Sequence, residues 1–278
     1  MLLQRVITAL VLLALLLPAL LADSLLPFAA LTLLMIGAAG WEWGRLNSMG
    51  NTGAVVMGAA VALTCGAAWW AGWGLAAPAA VWWIALIGWV IGGGLALRAG
   101  PKAWPQLPQV ARLVLGWLML SVAWLALAAA KQRGLGFILS AMCIVWAADI
   151  AAYFGGRTFG RRKLAPSISP GKSWEGVWSG MVGVGLLAWG WMAAEKVWPV
   201  AGPSVFSTLL TQRGLVLFAL GLVALCGLSV VGDLVESMAK RAAGAKDSSR
   251  LLPGHGGVLD RIDALLPVLP AVMALTAV

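Results

Sequence analysis

The chain has 278 residues, of which 62% are hydrophobic and 10% charged, with a formal net charge of +9. Soluble domains carry about 25% charged residues, and a soluble globule of this size could not hide so much apolar surface, so a bilayer must cover the rest. The composition excludes a soluble enzyme. It also argues against nucleic-acid binding, because basic membrane loops account for the positive charge.

Apolar segments fall at 4–22, 25–40, 53–72, 78–97, 113–130, 135–152, 177–194, 214–232 and 264–278. Most reach the roughly 20 residues that a bilayer core requires. No strand-like alternation accompanies them, and closed helices satisfy the backbone in lipid. The expected fold is therefore all-α, a polytopic integral membrane protein with about nine transmembrane helices. Residues 1–130 supply the N-terminal membrane helices. Residues 131–278 supply the C-terminal helices and the catalytic loops, within one continuous membrane domain. The first segment follows Arg5, but Leu20 and Ala22 do not form an A-x-A cleavage site, so it is read as a retained span. Glycine and tryptophan, 35 and 17 residues, suit close helix packing and interfacial anchoring. Cys65, Cys143 and Cys226 lie in apolar stretches without CxxC or Cys/His spacing, which argues against disulfides and structural zinc.

Charge sets the topology. With a cytoplasmic N-terminus and alternating spans, 15 of the 19 basic residues fall inside. The other four, Lys131, Arg133, Lys196 and Arg213, fall outside. That asymmetry fits the positive-inside rule and predicts a multi-pass protein of the inner, cytoplasmic membrane.

Two basic clusters coincide with the long polar stretches. One runs from Tyr153 through Arg157, Arg161, Arg162 and Lys163 to Ser169, Lys172 and Glu175. The other runs from Asp233 through Lys240, Arg241 and Lys246 to His255 and Asp263. Eight of the ten acidic residues lie between Asp149 and Asp263. Acids at the end of a span are costly unless paired or bound to a cation. Asp233 closes the eighth segment, and Asp260 and Asp263 stand three apart before the ninth. A hard divalent cation such as Mg²⁺ would relieve their repulsion through oxygen ligands; ion pairs such as Glu236 with Lys240 at i, i+4 are the competing explanation. Interleaved Lys and Arg point to phosphate beside the metal, since phosphoryl and nucleotidyl transfer rest on positioning and charge neutralisation. Gly254, Gly256 and Gly257 around the single histidine, His255, permit close backbone approach to a ligand. Gly171-Lys172-Ser173 is not a Walker motif, because Pro166 stands where that motif needs glycine. The GxxxG pairs Gly156/Gly160 and Gly176/Gly180 signal helix packing.

At these residues the sequence resembles the phosphatidate cytidylyltransferase (CDP-diacylglycerol synthase) family. The signature reads here as Ser237, Lys240-Arg241, Lys246-Asp247, Ser249, Leu252-Pro253, His255-Gly256-Gly257 and Asp260-Arg261-Ile262-Asp263. An upstream block runs from Asp149 to Gly176 and ends in the S-P-x-K-S-x-E-G stretch at Ser169. Ala239 stands where the family usually has a larger aliphatic residue. The N-terminal half is similar only as generic apolar helices. The resemblance implies CTP and phosphatidic acid as substrates, CDP-diacylglycerol and pyrophosphate as products, Mg²⁺ with room for a second metal ion, and a homodimer among membrane lipids. It implies Asp233, Asp260 and Asp263 as metal ligands. Ser237, Lys240, Arg241 and Lys246 fall at the phosphates, and Ser169, Lys172, Asp247, His255 and Arg261 beside substrate. A CTP-dependent lipid kinase needs similar charges. An ion-coupled transporter would instead use intramembrane Asp149 and Asp233 as a path.

Overall fold

The computed structural model describes residues 2–198 and 202–277. In chain order the helices are α1 (Leu2–Leu21), α2 (Leu26–Leu46), α3 (Asn51–Trp70), a single turn α4 (Trp73–Ala76), α5 (Ala79–Gly88) and α6 (Gly94–Ala99). There follow α7 (Gln109–Gln132), α8 (Leu135–Phe159), α9 (Trp174–Val197), α10 (Val205–Ala242), the short α11 (Leu259–Ile262) and α12 (Leu265–Leu275). A π-turn at Trp89–Gly93 joins α5 to α6, so that Ala79–Ala99 forms one span. Eight helices are long and apolar enough to cross a membrane among the described residues. The ninth expected segment is α12. It is an 11-residue helix whose Leu265–Ala274 are all buried, and its C-terminal carbonyls meet Arg133 and Arg213. It is apolar on every side because protein surrounds it, packed by α5, α7 and α10.

Each boundary has a local cause. Ser173 caps α9 by accepting the Gly176 N–H at 3.2 Å. Ser204 opens α10 with a capping box to Ser207. Gly214, at φ 74°, breaks α10 into a short outer piece and a long one that begins at Leu215. The long piece does not stop with the apolar residues near Gly232. It continues to Ala242, where Lys240 and Arg241 suit the negative end of the helix dipole. Helices α8 and α9 pack most closely through glycine. A Cβ on Gly176 would lie 2.9 Å from the Ala152 carbonyl oxygen and 3.4 Å from Gly156 Cα. The expected packing role of the GxxxG pairs is thereby found.

One element was not expected. The loop between α8 and α9 folds into an antiparallel hairpin of β1 (Lys163–Ala165) and β2 (Ser169–Ser173). Strands of three and five residues carry no detectable alternation, so an all-helical reading passes over them.

Loops and helix ends expected on one face touch one another. Thr8 Oγ1 donates to Pro253 O at 2.9 Å, and Lys172 Nζ meets Asp233 Oδ2 at 2.5 Å. On the other face, Lys131 Nζ donates to Ala22 O, Gln132 Nε2 to Gly74 O, and Arg133 and Arg213 to the C-terminal carbonyls. Single cysteines at the exposed positions Lys163 and Arg250, in a background with the three native cysteines replaced by alanine, should label from one side of sealed vesicles. A cysteine at Lys196 should label only from the other. Labelling of all three from one side would overturn the alternation.

Candidate active site

Carrying α10 beyond the apolar residues builds the site. Asp233, Glu236, Ser237, Lys240 and Arg241 stand at three- and four-residue spacings, so they share one helix face. The hairpin delivers Lys172 to that face. Its ammonium lies 2.5 Å from Asp233 Oδ2, and Ser237 Oγ donates to Asp233 Oδ1 at 3.1 Å. One turn further on, Lys240 Nζ donates to Asp260 Oδ1 at 2.6 Å and lies 2.5 Å from Glu236 Oε2. Arg241 ties α10 to the hairpin by donating to Ile168 O at 3.3 Å. Lys246, Asp247 and Arg261 are exposed. Among the described residues they make no ion pair or side-chain hydrogen bond.

Asp263 joins the group through glycine. A Cβ on Gly232 would collide with the Asp263 carbonyl oxygen and approach the Pro267 ring at 2.8 Å, so only glycine lets the Asp263 turn rest on α10. Asp263 Oδ1 accepts the Ala264 N–H at 2.8 Å. Burial and the neighbouring Asp233 charge push its carboxyl up to about 7, far above the ordinary carboxylate range. Asp233, already beside Lys172, and Asp263 face one another as carboxylates. Their oxygen-only donor set suits a hard divalent ion.

Asp260 is placed differently. Its Oδ1 faces Lys240, while Oδ2 accepts from Ser248 N at 2.9 Å, Ser248 Oγ at 2.8 Å and Gly257 N at 2.7 Å. Burial alone would raise the Asp260 carboxyl. These donors outweigh it and hold the group at about 2. Among the described residues no three acidic, histidine or cysteine side chains converge at metal-ligand spacing. This departs from the expectation of three aspartates on one ion. Asp260 already spends both oxygens on Lys240 and on its own loop.

The loop from Asp247 to Asp260 is fastened a second time, by a residue that the sequence reading passed over. Glu42, on α2, is fully buried. Its Oε1 accepts Ser249 Oγ at 2.5 Å and Val258 N at 3.0 Å, and its Oε2 accepts Ser248 Oγ at 3.2 Å and Leu259 N at 2.7 Å. A buried carboxylate is tolerated only with such a set of donors. A glutamate inside an apolar segment was the available signal. Gly254 and Gly256 have φ of 76° and 84° and turn the loop. A Cβ on Gly257 would strike both Ser248 Oγ and Glu42 Oε1. His255 donates its backbone N–H to Leu252 O at 2.8 Å, while its Nδ1 is buried without a hydrogen-bond partner among the described residues. Ser169 pairs with Ala165 across the hairpin and makes no side-chain hydrogen bond among the described residues.

A family model described as the cytidylyltransferase family matches residues 3–278. A phosphatidate cytidylyltransferase of Pseudomonas aeruginosa is 40% identical over 278 residues, covering 99% of this chain and 97% of that protein. A protein of the same name from Haemophilus influenzae is 49% identical over 138 residues, which is 50% of this chain and 44% of that one. Another from Bacillus subtilis is 40% identical over 146 residues, 52% and 49% of the two chains.

The glycines make a test of the loop. Gly257→Ala should cost about 1–3 kcal/mol by overpacking, read as a lowered unfolding midpoint in detergent. Gly171→Ala, where an added Cβ meets nothing within 4 Å, should leave the midpoint unchanged. Equal midpoints would mean that the loop is not clasped as described.

Proposed function

The chain belongs to the cytidylyltransferase family, and we propose that it transfers the cytidylyl group of CTP to phosphatidic acid, giving CDP-diacylglycerol and pyrophosphate for phospholipid synthesis. Its full-length relative carries the name phosphatidate cytidylyltransferase. The observation that carries the chemistry is the alternation of ammonium and carboxylate along α10 and the hairpin, at the end of a span. On this reading Lys172, Lys240 and Arg241 supply three cations at the end of α10, with Lys246 in the loop that follows, where two phosphate-bearing substrates must meet. A phosphate monoester is largely ionised near neutral pH, with a second pKa of about 6. The lipid phosphate oxygen can therefore attack the α-phosphorus of CTP without a strong base. The bond to the β-phosphate oxygen breaks as the new P–O bond forms, and pyrophosphate carries the negative charge away. Lys240 and Lys246 neutralise the leaving phosphates, and Lys172 holds the acceptor phosphate beside Asp233. Ser237 keeps the Asp233 carboxylate turned toward the site.

The reading includes a divalent metal, Mg²⁺, held by Asp233 and Asp263. Their adjacency, their oxygen donors and the raised Asp263 carboxyl support it. When bound, such an ion neutralises charge that develops on the transferred phosphorus and its oxygens. It also includes an inner-membrane location with the site facing the cytoplasm, supported by the excess of basic residues on the site's face. No observation favours a lipid kinase or a transporter. The product separates the first, since a kinase would release CDP in place of pyrophosphate.

Purified protein given CTP, phosphatidic acid and Mg²⁺ should release pyrophosphate and form a cytidine-bearing lipid. EDTA should stop the reaction and added Mg²⁺ restore it. Asp233→Asn and Asp263→Asn should each cost about a hundredfold or more in rate and raise the Mg²⁺ concentration required. Asp23→Asn, on the opposite face, should have no effect. Lys172→Ala should lower the rate more than Lys102→Ala. Near-normal turnover in folded Asp233→Asn would withdraw the metal assignment, and CDP as product would withdraw the transfer itself.

A further inference from the structure

We propose that Glu42 is a positioning residue for this reaction, setting the place of the Lys240 ammonium through Ser248 and Asp260. The inference rests on the functional reading above, in which Lys240 neutralises the phosphates of CTP.

Glu42 belongs to the N-terminal half, which otherwise touches the signature loop through Thr8 on Pro253 and Arg5 beside Gly254. It reaches the signature loop through four hydrogen bonds, two on each oxygen. Two of the donors, Val258 N and Leu259 N, open the short helix that bears Asp260. A third, the Ser248 hydroxyl, lies 3.2 Å from Glu42 Oε2 and 2.8 Å from Asp260 Oδ2. A hydroxyl has one hydrogen, so the two carboxylates compete for it, and the Ser248 and Gly257 backbone N–H groups settle Asp260 in place. The opposite oxygen of Asp260 then holds Lys240 Nζ at 2.6 Å. The path from α2 to the reacting phosphates is thus continuous: Glu42, Ser248, Asp260, Lys240.

A carboxylate that merely glued the loop would need no link to Asp260. Ser249 provides the internal comparison. It bonds Glu42 at 2.5 Å and does not touch Asp260. Ser248 touches both. Glutamine is a severe replacement at position 42 despite its shape. Each Glu42 oxygen faces a backbone N–H, so whichever way an amide turned, its NH₂ would meet a donor.

The test is steady-state kinetics of the full-length protein in detergent with CTP, phosphatidic acid and Mg²⁺. Glu42→Gln should raise KM for CTP about tenfold or more, the scale of one misplaced charge-assisted contact, while KM for phosphatidic acid stays within about twofold. Ser248→Ala should reproduce most of that rise, and the double variant should add little to it. Ser249→Ala should stay near the wild type. A structural role lowers the number of active molecules and so reduces kcat with KM for CTP unmoved; that result would overturn the proposal. Equal KM effects of Ser248→Ala and Ser249→Ala would overturn it as well. If Glu42→Gln does not fold, the contrast between the two serines decides alone. Wild-type protein that makes no cytidine-bearing lipid would bring down the functional reading, and this proposal with it. Normal wild-type product with unmoved KM values would bring down this proposal only.

Discussion

Charge placed in or against a membrane bundle must find its partner inside the protein. Water is absent from the hydrocarbon layer, and an unpaired carboxylate there is expensive. In this chain four acids of the site region answer that demand in different ways. Glu42 takes four hydrogen-bond donors from one loop. Asp233 takes an ammonium and a hydroxyl. Asp260 divides itself between an ammonium and three loop donors. Asp263 is buried with a like charge beside it, which is why its carboxyl is pushed up against the one backbone donor it has among the described residues. The site is the place where pairing is left incomplete, and incompleteness is what a charged substrate or a metal can use.

Glycine makes the pairings reachable. The Gly156–Gly176 contact brings α8 and α9 together and so aims the hairpin, with Lys172, at α10. Gly232 lets the Asp263 turn lie on α10, and Gly257 leaves room for the Glu42 carboxylate. A methyl group at any of these three places would separate charges that must be within a few ångströms. Catalytic geometry in this protein thus depends on backbone approach as much as on the polar residues themselves.

Much of this was legible in the sequence, and the misses have physical reasons. The spans were plain, because hydrophobic length is a strong signal. The alternation of faces was plain, because basic residues are unevenly shared. The two polar stretches and their charged residues were legible for the same reason. The extension of α10 past Gly232 was not, since apolar periodicity ends where the polar ladder starts, although Asp233 to Arg241 keep helical spacing. That the last apolar segment lies among other helices was not legible, because uniform apolarity looks alike in lipid and in a protein core. The use of Asp260 could not be read at all. Its spacing from Asp263 is that of paired ligands, and only the fold shows Ser248, Gly257 and Lys240 converging on it. Glu42 was present as a signal, a lone glutamate in an apolar run, but its partners lie more than 200 residues away.

The length of α10 explains why these charges are where they are. From Gly214, where the helix breaks, to Asp233 is 19 residues, roughly 29 Å at 1.5 Å per residue. The hydrocarbon core is about 30 Å thick. With Gly214 at one boundary of that core, Asp233 reaches the other, next to the headgroup layer that holds the lipid phosphates. The helix then runs on for about two and a half turns to Ala242, carrying Arg241 to the surface while Lys240 stays buried between Glu236 and Asp260. Under the proposed function, a lipid phosphate held in the bilayer surface and a nucleotide arriving from solution would meet along one helix face, each at its natural depth. Neither substrate has to leave its own solvent before the cations of that face compensate it. A soluble fold could not arrange that meeting without first extracting the lipid, and for that reason the chemistry belongs to a bundle whose last long helix outlasts the membrane.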